Sequence, residues 1–156
     1  MLFYRSTRGT ANLSVPMIRA LTATCLSAYP VGALVLALAP KSLATSMAGY
    51  ALILLALLSY APLIGSSIQR IVGEEVKLLD EFELRLRGRA LSLAYVVFTG
   101  LILLAVLYAA LASDNGAWVP NSYGAFNGLF WGVFLYAAVL PTAILSWLVE
   151  PSFNHE

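Results

Sequence analysis

Long charge-free apolar windows alternate with short polar stretches along this chain. Positions 20 to 39, 42 to 69, 90 to 113 and 115 to 149 contain no Asp, Glu, Lys or Arg, and each window can supply the ~20 residues a helix needs to cross a bilayer. A soluble core helix seldom stays apolar on all sides for so long. Lipid demands it, and also forces the backbone to bond to itself. The pattern predicts an all-α integral membrane protein, a single membrane domain over 1 to 156, with spans at 17 to 39, 45 to 66, 90 to 112 and 124 to 149. Ser14-Val15-Pro16 offers a cap and a first-turn proline for the first helix, and Pro40-Lys41-Ser42 is a turn short enough to make the first two spans a hairpin. Ser113-Asp114-Asn115-Gly116 is a second turn signal, Trp118 and Tyr123 are interfacial aromatic anchors, and Glu150-Pro151 stops the last span.

Between the hairpins, Val72, Val76, Leu79, Phe82 and Leu86 recur at intervals of three and four, while Glu81 with Arg85 and Glu83 with Arg87 are acid-to-base pairs at i, i+4. This predicts an amphipathic helix over 74 to 89. Val76, Leu79, Phe82 and Leu86 should face membrane or protein, and Glu75, Glu81 and Arg85 water. Nothing after Gly88 forces a break, so this helix can run directly into the third span.

Composition agrees with the pattern. Of 156 residues, 60% are hydrophobic and 11% charged, against a roughly half-apolar, quarter-charged soluble average. The net charge of +1 excludes the large basic excess of a nucleic-acid binder. A cleaved leader is not expected, because the first apolar stretch exceeds a signal h-region and Pro40 follows the candidate cleavage site. Lys and Arg set the orientation: three in the N-terminal flank (Arg5, Arg8, Arg19), five in the central segment, Lys41 alone in the first turn and none in the 113 to 123 loop. By the positive-inside rule both termini and the central segment are cytoplasmic. Arg85, Arg87 and Arg89 then meet lipid headgroups or a partner at an anionic leaflet surface.

Candidate chemistry is sparse. His155, the only histidine, lies at the chain's end, so no span offers an imidazole ligand, and no cofactor or metal is expected. No ionisable side chain lies near the middle of a span, which disfavours a pump or coupled transporter. Glu74, Glu75, Asp80, Glu81 and Glu83 read as a solvated face, Cys25 as a small buried apolar side chain, and no Ser or Thr has an evident base. Gly124, Gly128 and Gly132 form two overlapping GxxxG steps. They should line the tightest helix contact in the molecule or its complex, since helices associate in lipid through close packing. Ala20, Thr24, Ala28 and Gly32 make a comparable stripe on the first span, and Ala105, Ala109 and Ser113 a weaker one on the third. Opposite the glycines, Phe126, Phe130 and Phe134 form an aromatic stripe that faces lipid, fills the core or offers an apolar surface to a quinone or pigment. Pro30, Pro62 and Pro141 each free a backbone carbonyl inside a span, which a neighbour must satisfy.

The stretch Leu79-Asp80-Glu81-Phe82-Glu83-Leu84-Arg85-Leu86-Arg87-Gly88-Arg89-Ala90, leading into Leu91-Ser92-Leu93-Ala94-Tyr95, resembles a segment of small uncharacterised bacterial four-helix inner-membrane proteins. There an acidic motif followed by arginines joins two transmembrane hairpins. The resemblance implies this topology and a bacterial inner membrane, and no activity. The expected function is that of a non-catalytic membrane protein acting through helix packing, an accessory or assembly subunit whose partners are the bilayer and other subunits or itself. The alternatives are a self-associating channel or facilitator, and a lipid-modifying membrane enzyme. Cysteines introduced at Ser42 and Ser122 should react with an impermeant thiol reagent from outside the cell, and one at Gln69 should not. The reverse labelling would overturn the orientation.

Overall fold

The structure is a computed structural model that describes residues 13 to 149. Arg5, Arg8, the Glu150-Pro151 stop and His155 lie outside the described residues. Five helices make up the described chain: α1 (Val15–Leu38), α2 (Leu43–Ile64), α3 (Ser67–Gly73), α4 (Glu81–Asp114) and α5 (Tyr123–Leu148), with a single 3-10 turn at Val76–Leu78 before α4. Of these, α1, α2, α4 and α5 are long and apolar enough to cross a membrane, which makes this a multi-pass membrane protein.

α1 opens with Pro16 in its first turn, as predicted, but the Ser14 side chain makes no cap hydrogen bond; short polar side chains do cap the later helices. Ser42 and Thr45 form a reciprocal capping box on α2, Ser66 accepts from the Gln69 amide to open α3, and Ser122 accepts from Ala125 N to open α5. Asp80 and Glu83 form the capping box of α4. That cap corrects the predicted central helix. Residues 74 to 89 are not one helix: α3 ends at Gly73, an extended link and the 3-10 turn follow, and α4 begins only at Glu81. Asp80 stops the periodic pattern because its carboxylate bonds the Glu83 amide instead of continuing a turn. Past that start, α4 runs unbroken through Gly88 into the third span, as the absence of a breaker predicts. At its far end the Asn115 side chain bonds Leu111 O, and Gly116, at φ +66, makes the left-handed turn that a side chain would disfavour.

The hairpins pack in the order α2, α1, α5, α4, with α3 tucked against α4 and α5. One core cluster, Val15, Ile18, Leu63, Ile68, Ile71, Leu86, Ala90, Leu145 and Val149, gathers all five helices at the end that holds the central segment. A second, of Cys25, Ala28, Tyr29, Ala56, Leu135 and Val139, joins α1, α2 and α5 further along. Away from these clusters α4 is mostly uncovered. Only 11% of its most apolar window is buried, and from Tyr95 to Leu111 no residue is fully covered.

Glycine sets the tightest approach, at a place the GxxxG count missed. A Cβ on Gly32 would lie 2.8 Å from Gly49 O, and one on Gly49 would lie 2.6 Å from the Leu36 side chain, so α1 and α2 touch backbone to backbone. A Cβ on Gly124 or Gly128 would meet nothing within 4 Å, whereas on Gly132 it would lie 2.9 Å from the Tyr29 ring. Within the chain, therefore, only the last glycine of the predicted ladder is packed. On α1, Ala28 and Gly32 are buried as expected, but Thr24 is half-buried and Ala20 exposed. The 3.6-residue repeat turns the contact face toward Thr22, Cys25 and Tyr29 instead. On α4 the buried small residues are Ala90, Ala94 and Ala112, while Ala105 and Ser113 are exposed.

Gly32→Ala should cost about 1 to 3 kcal/mol, the usual penalty of overpacking against atoms that cannot yield. Gly128→Ala, with open space around it, should stay within about 0.5 kcal/mol of the unaltered protein. Thermal unfolding of the detergent-solubilised chain checks both.

Candidate functional site

Two of the five acids that sequence spacing treats as a solvated face, Glu74 and Glu83, converge on one side chain, Arg70. It lies on α3, whose start is fixed by Ser66: the buried hydroxyl donates to Leu63 O and accepts from Gln69 N. One turn later the Arg70 guanidinium donates from Nη1 to Glu74 Oε2 at 2.5 Å and from Nη2 to Glu83 Oε1 at 2.7 Å. Glu83 belongs to α4, so this fork joins the two helices. Burial by itself would lower the Arg70 pKa, but the hydrogen bonds and charges of Glu74 and Glu83 outweigh it and hold the group above its ordinary value. Arg87 completes the junction by donating from Nη1 to the Glu74 backbone carbonyl at 2.6 Å.

Two expectations change here. Glu74 is buried, not solvated. Glu83 and Arg87, matched by i, i+4 spacing, each bond across to α3 and its C-cap, because partners already desolvated by packing offer stronger electrostatics than a neighbour in water. The Glu81–Arg85 pair does form, at 2.7 Å and fully exposed. The three arginines thus have different situations: Arg85 is exposed and paired with Glu81, Arg87 is half-buried in the junction, and Arg89 is exposed. Leu79 and Leu86 are buried against protein and Glu75, Glu81 and Arg85 are exposed as expected; Val76 and Phe82 are not covered by the chain itself.

Beside the junction lies an open depression of about 280 Å³, lined by Gly73, Glu74, Glu75, Val76, Lys77 and Arg87. Glu74 is already engaged by Arg70, while Glu75 and Lys77 are exposed at the rim. No group of three or more His, Cys, Asp or Glu side chains suited to a metal ion occurs among the described residues.

A second polar seam, between α1 and α5, is hidden from sequence reading. Arg19 donates from Nε to Ser146 O and from Nη2 to Val149 O, both at 2.9 Å, and stacks 4.7 Å from the Trp147 ring centroid. It caps the last carbonyls of α5 from a neighbouring helix. Further along, Tyr136 OH donates to Leu26 O at 2.5 Å. Leu26 is the residue four before Pro30, so its carbonyl is the one the missing proline N–H releases. Tyr29 OH donates to Gly128 O at 2.7 Å, its ring lying over Gly132. Thr142 of α5 bonds Gln69 of α3. A cation one turn inside a span, facing another span's C-terminal end, is the one signal that could have pointed to the Arg19 contact.

Phe126, Phe130 and Phe134 all point outward, with Trp131 edge-on to both Phe130 and Phe134. Comparison with protein-family models, with curated proteins and with solved structures returns no match.

Arg70→Ala would leave the Glu74 carboxylate covered without its cation. The expected loss is about 2 to 3 kcal/mol, below the ~3 to 5 of a fully buried pair because Arg70 is partly exposed. Arg85→Ala, which breaks an exposed pair, should cost about 0.5 kcal/mol or less. Unfolding midpoints in micelles distinguish the two.

Proposed function

We propose that this chain is a non-catalytic membrane protein that acts through helix packing, as an accessory or assembly subunit of a larger membrane complex. The observation that carries the reading is α4. A helix of 34 residues joins its own bundle mainly at one end and leaves its apolar length almost wholly uncovered. The outer half of α5 behaves the same way: Gly124 and Gly128 are bare, and Phe126, Leu129, Phe130 and Trp131 are exposed. Together these surfaces give a neighbouring helix both close backbone approach and aromatic contact. Within the chain the ladder is used only by Tyr29, which packs over Gly132 and donates to the Gly128 carbonyl, so the reading relies on the open faces of α4 and α5 rather than on the ladder alone.

The complex would lie in a bacterial inner membrane with both terminal flanks and the central segment in the cytoplasm. Eight Lys and Arg on that side against one on the other support the orientation. The engaged state of the charges supports a non-catalytic role. Arg70, Glu74 and Glu83 are tied to one another, and the buried Thr22, Ser66 and Ser146 hydroxyls donate to carbonyls of their own or the preceding turn, leaving no activated nucleophile among them.

Affinity purification of the tagged full chain from its native membrane in mild detergent tests the proposal. Unrelated subunits recovered at fixed stoichiometry support it, and Gly128→Leu should then lower their recovery while Leu129→Ala does much less. A homogeneous homo-oligomer would favour the channel or facilitator, and a monomer alone would defeat both readings.

A further inference from the structure

The depression beside Arg87 sits where a bilayer presents its headgroups. Arg87 is three residues before Ala90, where the charge-free part of α4 starts, so it lies about 4.5 Å along the helix from that boundary. The polar layer of each leaflet is about 5 to 7 Å thick. The bond from Arg87 to the Glu74 carbonyl draws the following link to the same level. Next to the depression, Val76 is 60% and Leu78 61% exposed, large apolar side chains in an otherwise charged link. Water is a poor neighbour for them and the acyl boundary a good one.

The exposed wall of the depression is mostly apolar, and the charges at its margin are of both signs. Lys77 and Arg87 are cations, Glu74 has its carboxylate held by Arg70, and Glu75 is an exposed carboxylate with no ion pair among the described residues. A purely anionic headgroup would engage Lys77 and Arg87 but leave Glu75 without a partner. A headgroup carrying both a phosphodiester and a primary ammonium matches the set, with the phosphate toward Lys77 and Arg87 and the ammonium donating to Glu75. We infer that the depression lined by Glu75, Lys77 and Arg87 binds the headgroup of an aminophospholipid, with Val76 and Leu78 against its acyl chains. The inference depends on the membrane setting of the spans and not on the subunit reading.

Native mass spectrometry of the purified full chain tests it, using phosphatidylethanolamine, phosphatidylcholine and phosphatidylglycerol of identical acyl chains as probes. A quaternary choline cannot donate to Glu75, so phosphatidylethanolamine should be retained roughly three- to five-fold better than phosphatidylcholine, the scale of one exposed charge contact. Glu75→Gln should erase that preference, and Lys77→Ala should weaken retention of both lipids. Both side chains are exposed, so helical content and the unfolding midpoint serve as controls that the variants are folded. Equal retention of the ethanolamine and choline lipids would overturn the inference. So would a preference for phosphatidylglycerol, or indifference of folded Glu75→Gln and Lys77→Ala to lipid.

Discussion

Inside a bilayer the hydrophobic effect no longer presses helices together, so the arrangement depends on hydrogen bonds and close contacts that lipid cannot replace. In this protein those contacts are concentrated in the seam between α1 and α5. Arg19 caps Ser146 and Val149, Tyr136 satisfies the carbonyl that Pro30 releases, and Tyr29 reaches Gly128 across the bare surface of Gly132. These three attachments, spaced along two antiparallel helices, fix their relative height and rotation. Everything else attaches to this pair: α2 to α1 through the Gly32 and Gly49 approach, and α4 and α3 to α5.

The charged junction extends that logic beyond the spans. α3 is only seven residues long, too short to be stable as an isolated helix. It is held by Ile68 and Ile71 in the shared core, by Gln69 on Thr142 and by the Arg70 fork to Glu74 and Glu83. A partly buried ion pair is weak evidence for added stability, but the Arg70–Glu83 bond specifies geometry, because Arg70, already held by Glu74 at the end of its own helix, reaches Glu83 only where α4 lies alongside. The result is a molecule in which α1 and α2 stay closely packed as far as Gly32 and Gly49, while the apolar length of α4 and the start of α5 are left uncovered.

The number, type and approximate limits of the spans were legible from charge-free length, and the turns at 40 to 42 and 113 to 116 from local chemistry, because both depend on residues close together in the chain and on lipid as solvent. The central segment was legible only in part. Its periodicity announced a helix, yet Asp80 had a competing use as a cap, and spacing alone does not rank the two. Which small residues pack was legible in part. Ala28, Gly32 and Gly132 lie on the predicted stripes and are covered, but Gly49, the partner of Gly32, stood in no motif, and a Cβ on Gly124 or Gly128 meets no atom of this chain, since a GxxxG stripe states that a backbone is approachable and not which helix approaches it. The partners of Arg19 and Arg87, and the Glu83 partner of Arg70, lie at distances along the chain that no i, i+4 rule reaches; within this set only Arg70 with Glu74 keeps that spacing. Sequence by itself determined a four-span helical membrane protein with its charges gathered at one end. Tertiary structure decided which charges are buried, which glycines are covered and which helix is left open. Those outcomes depend on the rotation of each helix about its axis, and a span that is apolar on every side has no polar face to set that rotation.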